Sequence, residues 1–355
     1  MRESAFLFQG LPLESKEGET VQMKHANLSI FVPHMGCPQS CSFCNQRNIS
    51  GAEKPPTSAE VTRLCNTYLP KAEQGSNTEI AFFGGSFTAI DYTFMVALLQ
   101  AAYPFVQQGR AAGIRISTRP DAIDANILNT LKQYGVTAIE LGAQSMDDEV
   151  LKANRRGHTV QQVCAAAQAI QAHGFSLGLQ MMLGLYGEQD ACAYAQKTAQ
   201  AFLALCPDTV RIYPTLVVAG TQLAEWYTQG QYTPLTIDAA ADICAQLIPA
   251  FEAADIRVIR VGLHADESLA STVLAGPYHP AFRQIAESRI YLHKMQQGFA
   301  SRLKGTYTVC VPKGELSTAA GQKKCNLQQL FKQGYTVTVK EDAGLCKKYR
   351  EIAIL

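Results

Sequence analysis

The chain has 355 residues, 47% of them apolar and 17% charged, with a net charge of +1. That balance excludes a disordered chain and an extreme polyelectrolyte, and it supplies core for one large domain with an appendage or for two ordinary ones. No apolar run reaches the length of a membrane span and the first residues lack a secretory hydrophobic stretch, so a cytoplasmic location without membrane contact is expected.

Residues 1–27 read as an N-terminal extension. From Leu28 onward, short β-rich runs alternate with stretches of helical period. The runs are LSIFVPH (28–34), EIAFFGG (79–85), IRIST (114–118), TAIELGAQS (137–145), FSLGLQMML (175–183) and TVRIYPTLVV (209–218), with IRVIRVGL (256–263) after a further helix. Near-continuous apolar strands, each followed by a helix, imply a parallel sheet buried on both faces. Six consecutive units of this kind fit a barrel or partial barrel better than a doubly wound sheet. In such folds the chemistry gathers at the C-terminal ends of the strands. The residues expected at that rim are His34 to Cys44, Gly84 to Ser86, Ser117 to Arg119, Gln144 and Ser145, Gln180 to Gly184, and Tyr213 to Thr215.

Eleven cysteines are present. Eight stand singly and read as small buried hydrophobes of a reducing compartment. The other three, Cys37, Cys41 and Cys44, crowd into HMGCPQSCSFCNQRNISG (34–51), between the first and second runs. A structural zinc site wants four ligands, usually as two separated pairs, and no second pair follows, although His34 is a nearby fourth donor. A fully ligated [4Fe–4S] cluster wants four cysteines as well. Three thiolates on such a cluster leave one iron open to a substrate or cofactor.

Cys-x3-Cys-x2-Cys, with Phe43 before the last cysteine and placed after the first strand of a βα barrel, resembles the radical S-adenosylmethionine (SAM) superfamily. The resemblance implies a partial (β/α)6 TIM-like barrel of the α/β class over residues 28–300. It further implies a [4Fe–4S] cluster held by Cys37, Cys41 and Cys44, and SAM as the second cofactor, with Phe43 beside it. Gly84 and Gly85 in FFGGSFT match the glycine pair that lets the backbone approach the SAM amino group in that superfamily. Ser117, Arg119, Gln144 and Gln180 stand at strand ends where relatives contact SAM. ELGAQS (140–145) followed by VLKANRRGHT (150–159) is similar to Elongator-type and coproporphyrinogen-type members, which assigns Arg156 to the SAM carboxylate. The implied activity is reductive cleavage of SAM to a 5′-deoxyadenosyl radical that takes hydrogen from a substrate, with electrons from a flavodoxin or ferredoxin. Tyr213 is the candidate catalytic residue near that substrate.

The stretch RIYPTLVVAGTQLAEWYTQGQYTPLT (211–236) resembles the catalytic subunit of Elongator most closely, which points to RNA modification. Two alternatives are a small-molecule enzyme of the coproporphyrinogen dehydrogenase type and a non-catalytic iron–sulfur regulator. The first relative carries an Asp where this chain has Gln180. No counterpart of Elongator's acetyltransferase domain follows. Residues 301–355 instead read as a small α+β module of strand, helix (316–331) and strand. It carries ten Lys or Arg against four Asp or Glu. STAAGQKKCNLQQLFKQGYTVTV is similar to half of a KH-type RNA-binding module, with Gly321, Lys323, Lys324 and Lys332 as the RNA-facing positions.

Overall fold

All seven of the runs expected as strands enter one parallel sheet in the computed structural model, which describes residues 26–32, 41–45, 54–71, 77–263 and 267–355. In chain order the strands are β1 (Ala26–Val32), β2 (Thr78–Gly84), β3 (Gly113–Thr118), β4 (Val136–Gln144), β5 (Ser176–Leu183), β6 (Thr209–Pro214), β7 (Val217–Val218) and β8 (Arg257–Val261). They are followed by β9 (Val273–Ala275), β10 (Gly305–Val311), β11 (Tyr335–Glu341) and β12 (Ala353–Ile354). The helices are α1 (Ser58–Tyr68), α2 (Tyr92–Gln107), α3 (Ala125–Gln133), α4 (Asp148–Ala153), α5 (Val160–Ala172) and α6 (Ala191–Leu205). Beyond them lie α7 (Gln222–Thr228), α8 (Ile237–Ala253), α9 (Glu267–Ala270), α10 (Phe282–Phe299), α11 (Leu316–Ala320) and α12 (Cys325–Lys332).

The sheet order is β1-β2-β3-β4-β5-β6-β8, so β1 and β8 are its two edges among the described residues. Four strand spacings would separate β2 from β6 by about 19 Å if the sheet were flat. Instead the Arg211 guanidinium of β6 lies 5.2 Å from the Phe83 ring of β2. The sheet is therefore curled into a half-barrel, as the strand–helix alternation predicts, with one strand more than the six units first counted. The sequence TVRIYPTLVV, expected as one strand, breaks after Pro214, and its end pairs antiparallel with β9 over the rim as β7.

Helix starts are written plainly in the sequence. Asp91, Asp124, Asp147 and Asp190 cap α2, α3, α4 and α6. Thr57, Thr159, Thr221 and Thr236 do the same for α1, α5, α7 and α8. Each side-chain oxygen accepts from a backbone N–H that the helix itself leaves unpaired.

The convex face of the sheet is apolar. Ile30, Phe82, Ile116, Ile139, Leu179 and Ile212 are buried there under the helices. The concave face differs from the expectation of strands apolar on both sides. Register places Glu79, Arg115, Glu140 and Arg211 inside the curl. Arg115 donates to Glu79 (2.7 Å) and Glu140 (3.2 Å), and Arg211 donates to Glu140 (2.8 Å). Buried charges persist only when paired and hydrogen-bonded in this way.

A second core joins the C-terminal module to the barrel. Phe282, Ala286 and Ile290 of α10 pack in the first core, whereas Tyr291, Leu292, Met295 and Phe299 pack against Val309, Val311, Ala319 and Leu330. The helix expected over 316–331 is broken in two, because Gly321, Lys323 and Lys324 all take positive φ between α11 and α12. The Asn326 amide secures the break, donating to Ser288 O (2.9 Å) and Ala319 O (3.0 Å). The module's sheet runs β11-β10-β12, with β10 and β11 parallel. Cys65, Cys244 and Cys310 are buried as expected, but Cys206 and Cys325 are exposed.

Arg350, buried near the C-terminus, pairs with Glu252 of α8 (2.7 Å) and Glu287 of α10 (3.0 Å). Its removal leaves two partly buried carboxylates side by side. Arg350→Met is expected to cost about 2–4 kcal/mol, measured by urea unfolding at neutral pH. A loss below ~0.5 kcal/mol would show that water replaces the pair.

Candidate functional site

The rim at the C-terminal ends of the strands is organised around the short loop Cys41–Asn45. Its anchor is Ser42, which is buried. Ser42 Oγ donates to Asn154 Oδ1 (2.7 Å), Ser42 N donates to Asn154 O (3.1 Å), and Leu223 N donates to Ser42 O (2.7 Å). Asn154 is itself fixed, its amide donating to Val150 O and Tyr186 O, both at 2.8 Å. Phe43 packs on a rim cluster that includes Val217, Leu223 and the stacked rings of Tyr186 and Trp226, whose centroids are 4.1 Å apart. A buried serine and an aromatic anchor thus orient the two flanking thiols, Cys41 and Cys44, which are both half-buried. Cys37 and His34 lie outside the described residues. Among the described residues no three His, Cys, Asp or Glu side chains converge as a metal site.

Arg156 is a charged partner of the loop. Its Nη1 donates to Cys41 Sγ (3.0 Å) and its Nη2 to Gly142 O (2.6 Å). Its Nε is buried and has no hydrogen-bond partner among the described residues. Arg119, buried after β3, donates from Nη2 to Arg156 O (2.8 Å) and from Nε to Asp121. One guanidinium therefore steadies the backbone that carries the other.

Gln144 ends β4 with φ 67, a left-handed conformation that costs a non-glycine residue of order 1–3 kcal/mol. The strain turns its side chain toward β5, where Gln180 Nε2 donates to Gln144 Oε1 (3.3 Å). Gly84 ends β2 with φ 112, and a Cβ there would meet Val32 O at 3.0 Å. The next residue, Gly85, donates its N–H to Val32 O (2.8 Å), which fixes the turn. Ser117 faces the concave side in register with Glu140. Tyr213 is also on that side, in register with Met182, and its hydroxyl accepts from Arg211 Nη1 (3.4 Å). The structure thus brings Cys41, Arg156, Gly142 and Arg119 into one hydrogen-bonded group and Gln144 and Gln180 into a second. Tyr213 belongs to the charged lumen network rather than to the thiol loop.

His158 lies beneath this rim, its Nε2 3.2 Å from Ala143 O. Burial, with the Arg156 guanidinium adding to it, pushes its pKa down to about 4 from 6.5. The imidazole is therefore neutral at pH 7, with Nε2–H donating to the carbonyl. Because the unfolded chain binds the proton more tightly, the stability held in this neutral ring is complete above pH ~6.5. It is lost as the pH falls towards 4, up to about 3 kcal/mol. His158→Gln should flatten that part of the stability–pH curve in urea titrations between pH 7.5 and 4.5. An unchanged slope would assign the acid sensitivity to other groups.

Sequence reading alone did not find the Ser42–Asn154 clasp or the Glu79–Arg115–Glu140–Arg211 network. The clasp left no signal, since a serine between two cysteines is unremarkable. The network did leave one: IRIST, AIEL and TVRIY each set a charge between apolar neighbours at the strand period.

Comparison with known proteins bears on this rim directly. A model of the Radical SAM superfamily matches residues 31–195, and one of the Radical_SAM C-terminal domain matches 207–292. The chain is 26% identical over 297 residues to a tRNA uridine(34) acetyltransferase of Dehalococcoides mccartyi, covering 74% of this chain and 64% of that one. It is 31% identical over 184 residues to the human Elongator complex protein 3, covering 51% of this chain and 32% of that one. The chain thus spans less than two thirds of the length of these relatives. Among solved structures, archaeal Elp3 of Methanocaldococcus infernus superposes with a TM-score of 0.56 at 20% identity, covering 78% of this chain and 64% of that one. That likeness is one of fold. The two family models together run from the end of β1 into α10, with the thiol loop and the strained strand ends inside the first, and the chain belongs to the radical SAM superfamily.

Proposed function

We propose that this chain is a radical SAM enzyme that modifies RNA, with a [4Fe–4S] cluster on Cys37, Cys41 and Cys44. The residues present fit those groups. Two thiols sit on an anchored loop beside a guanidinium whose buried Nε awaits an acceptor, and Gly84 turns the chain at the end of β2 with φ 112. When bound, the cluster and SAM supply reductive cleavage to a 5′-deoxyadenosyl radical, with a flavodoxin or ferredoxin as electron donor.

The chain's own residues bind and orient. Arg156 offers the SAM carboxylate a side-on fork of its unpartnered Nε–H and the second N–H of Nη2, and Arg119 holds that fork in place through the Arg156 carbonyl. Gln144 and Gln180 present an amide pair for ribose hydroxyls, and Ser117 adds a further hydroxyl beside them. Gly84 and Gly85 admit the SAM amino group, and Phe43 closes the loop against water. Tyr213, on the lumen side, faces the substrate.

RNA as substrate rests on the relatives named for tRNA uridine(34) and on the basic module. Residues 301–355 form a separate unit in this reading, with Lys323 and Lys324 beside a cavity of about 360 Å³ that also takes in Ser317 and Gln322. Neither lysine is ion-paired within the described residues. Both suit an RNA backbone. Among the described residues no helix is long and apolar enough to cross a membrane, and the working location is the cytoplasm.

The observation that carries the proposal is the Arg156–Cys41 contact at the rim of the half-barrel. The test is anaerobic reconstitution followed by dithionite reduction with SAM. It should yield about four irons per chain and release 5′-deoxyadenosine. Nucleoside mass spectrometry of RNA from cells with and without the gene should show one missing modification. Stoichiometric zinc without iron would refute the cluster, and an unchanged nucleoside profile would refute the RNA substrate.

A further inference from the structure

The lumen of the half-barrel holds a charge that no side chain answers among the described residues. Glu79 and Glu140 are its carboxylates among the described residues, and they face Arg115 and Arg211. A third arginine, Arg260 of β8, stands in register with Arg211 and on the face opposite the buried Val261. It is half-buried and has no hydrogen bond or ion pair among the described residues.

Its surroundings sharpen the point. The charged groups close enough to act on Arg260 are Arg211 and Arg283, both cations, with the Tyr213 hydroxyl as the polar neighbour. Arg211 is committed to Glu140, and Arg283 to Glu287 (3.0 Å) and Val258 O (3.0 Å). Like charges in register across a strand pair are destabilising. Partial burial adds to the cost and lowers the Arg260 pKa. A position kept at that cost is one where an anion from outside completes the set.

The placement says which anion. Gln180 is in register with Arg211, and Arg211 with Arg260, so the guanidinium lies level with the Gln144–Gln180 pair. It also lies on β8, which with β1 forms the edges of the sheet among the described residues. A nucleotide whose base reaches the rim must leave its stack and bring its backbone with it. A backbone that enters over the β8 edge passes Arg260. A guanidinium presents two parallel N–H groups to a phosphate, a geometry that lysine lacks.

We infer that Arg260, with the Tyr213 hydroxyl beside it, is the anchor for a phosphodiester of the substrate nucleotide, fixing which residue of the RNA enters the half-barrel. This rests on the RNA reading above. It adds a recognition residue on β8, remote from the thiol loop, and a direction of entry.

The test uses the full chain reconstituted with its cluster, as wild type, Arg260→Gln and Arg260→Lys. Binding of a fluorescein-labelled anticodon stem-loop RNA is followed by anisotropy from 50 to 200 mM KCl. Arg260→Gln should weaken binding about 10-fold whatever the loop sequence and flatten the log–log salt slope by about 0.7. Arg260→Lys should keep the slope and recover part of the affinity. SAM cleavage without RNA should be equal in all three.

A second arm needs no RNA. Phenylglyoxal, with peptide mapping, should modify Arg260 faster than the paired Arg115 and Arg211, and inorganic phosphate should protect it. Unchanged RNA affinity and slope in Arg260→Gln, or modification that phosphate does not slow, overturns the anchor. If phosphate protects Arg260 but the wild type shows no RNA affinity, the RNA reading and the phosphodiester fall together, leaving only a small-anion site.

Discussion

Cys41→Ser/Cys44→Ser is expected to purify without iron and to lose 5′-deoxyadenosine formation by at least ~100-fold, beyond the ~10–100-fold typical of losing only a partner of a metal ligand. The fold should survive. The loop is held by Ser42 and Asn154 and by Leu223 N on Ser42 O, none of which involves a cysteine sulfur. Serine at 41 also keeps an oxygen near Arg156 Nη1 as an acceptor. Urea midpoints of the apo proteins should therefore agree closely while iron content, visible absorbance and turnover do not. Retained iron at wild-type stoichiometry would remove these two cysteines from the ligand set. A collapse in apo stability would mean the thiols serve the fold instead. Ser42→Ala should show the opposite pattern. It removes the hydroxyl from Asn154 and loosens the loop, so iron binds less tightly although every thiol remains.

The second large effect concerns Arg156. Its two terminal nitrogens already bridge Cys41 Sγ and Gly142 O, and its Nε is left over. Arg156→Leu is expected to raise the KM for SAM by ~10–150-fold, since hydrogen bonds to charged groups contribute about 1.5–3 kcal/mol. Arg156→Lys should recover only part of this, because an ammonium cannot span the thiol and the carbonyl together. The effect should fall mainly on KM, with kcat at saturating SAM changed less, if the fork binds SAM alike in ground and transition states. A pure kcat effect would move Arg156 from binding to the reaction itself. If Arg156→Leu has wild-type KM, the carboxylate assignment is wrong. Stability gives a separate check. Arg156→Leu leaves Gly142 O without its donor, so a modest urea shift of about 1 kcal/mol belongs to that carbonyl and not to SAM.

Much of the half-barrel was legible from the chain because its determinants are local. Each strand carries its apolar convex side as a run of Ile, Leu, Val and Phe, and helix after helix opens on Asp or Thr where free N–H groups need an acceptor. The break of the C-terminal helix was not legible. Residues 316–331 read as one helix, whereas the left-handed Lys323 and Lys324 are imposed by Asn326 reaching back to Ser288, 38 residues earlier. Local propensity has no access to such a contact. The break after Pro214 was missed for a similar reason, since β7 leaves the main sheet only because β9, far along the chain, arrives to pair with it.

The same division holds at the site. Three cysteines at that spacing, a glycine pair after the second strand and an arginine after ELGAQS are sequence facts, and the family resemblance they carry pointed to SAM chemistry. What they lacked was partnership. Only folding sets Arg156 on Cys41, 115 residues apart, and Ser42 on Asn154, 112 apart. Charge shows the limit most clearly. Composition counts Arg115, Arg211 and Arg260 alike as basic residues in strands. Pairing across neighbouring strands, and from β4 to β6 across the curl, decides that Glu79 and Glu140 answer the first two and that, among the described residues, Arg260 goes unanswered. Residue type and spacing determine which chemistry a chain can hold, because ligands and turns are short-range. Which charges remain for a substrate is decided by the closure of the sheet, because neutralisation acts across space and not along the chain.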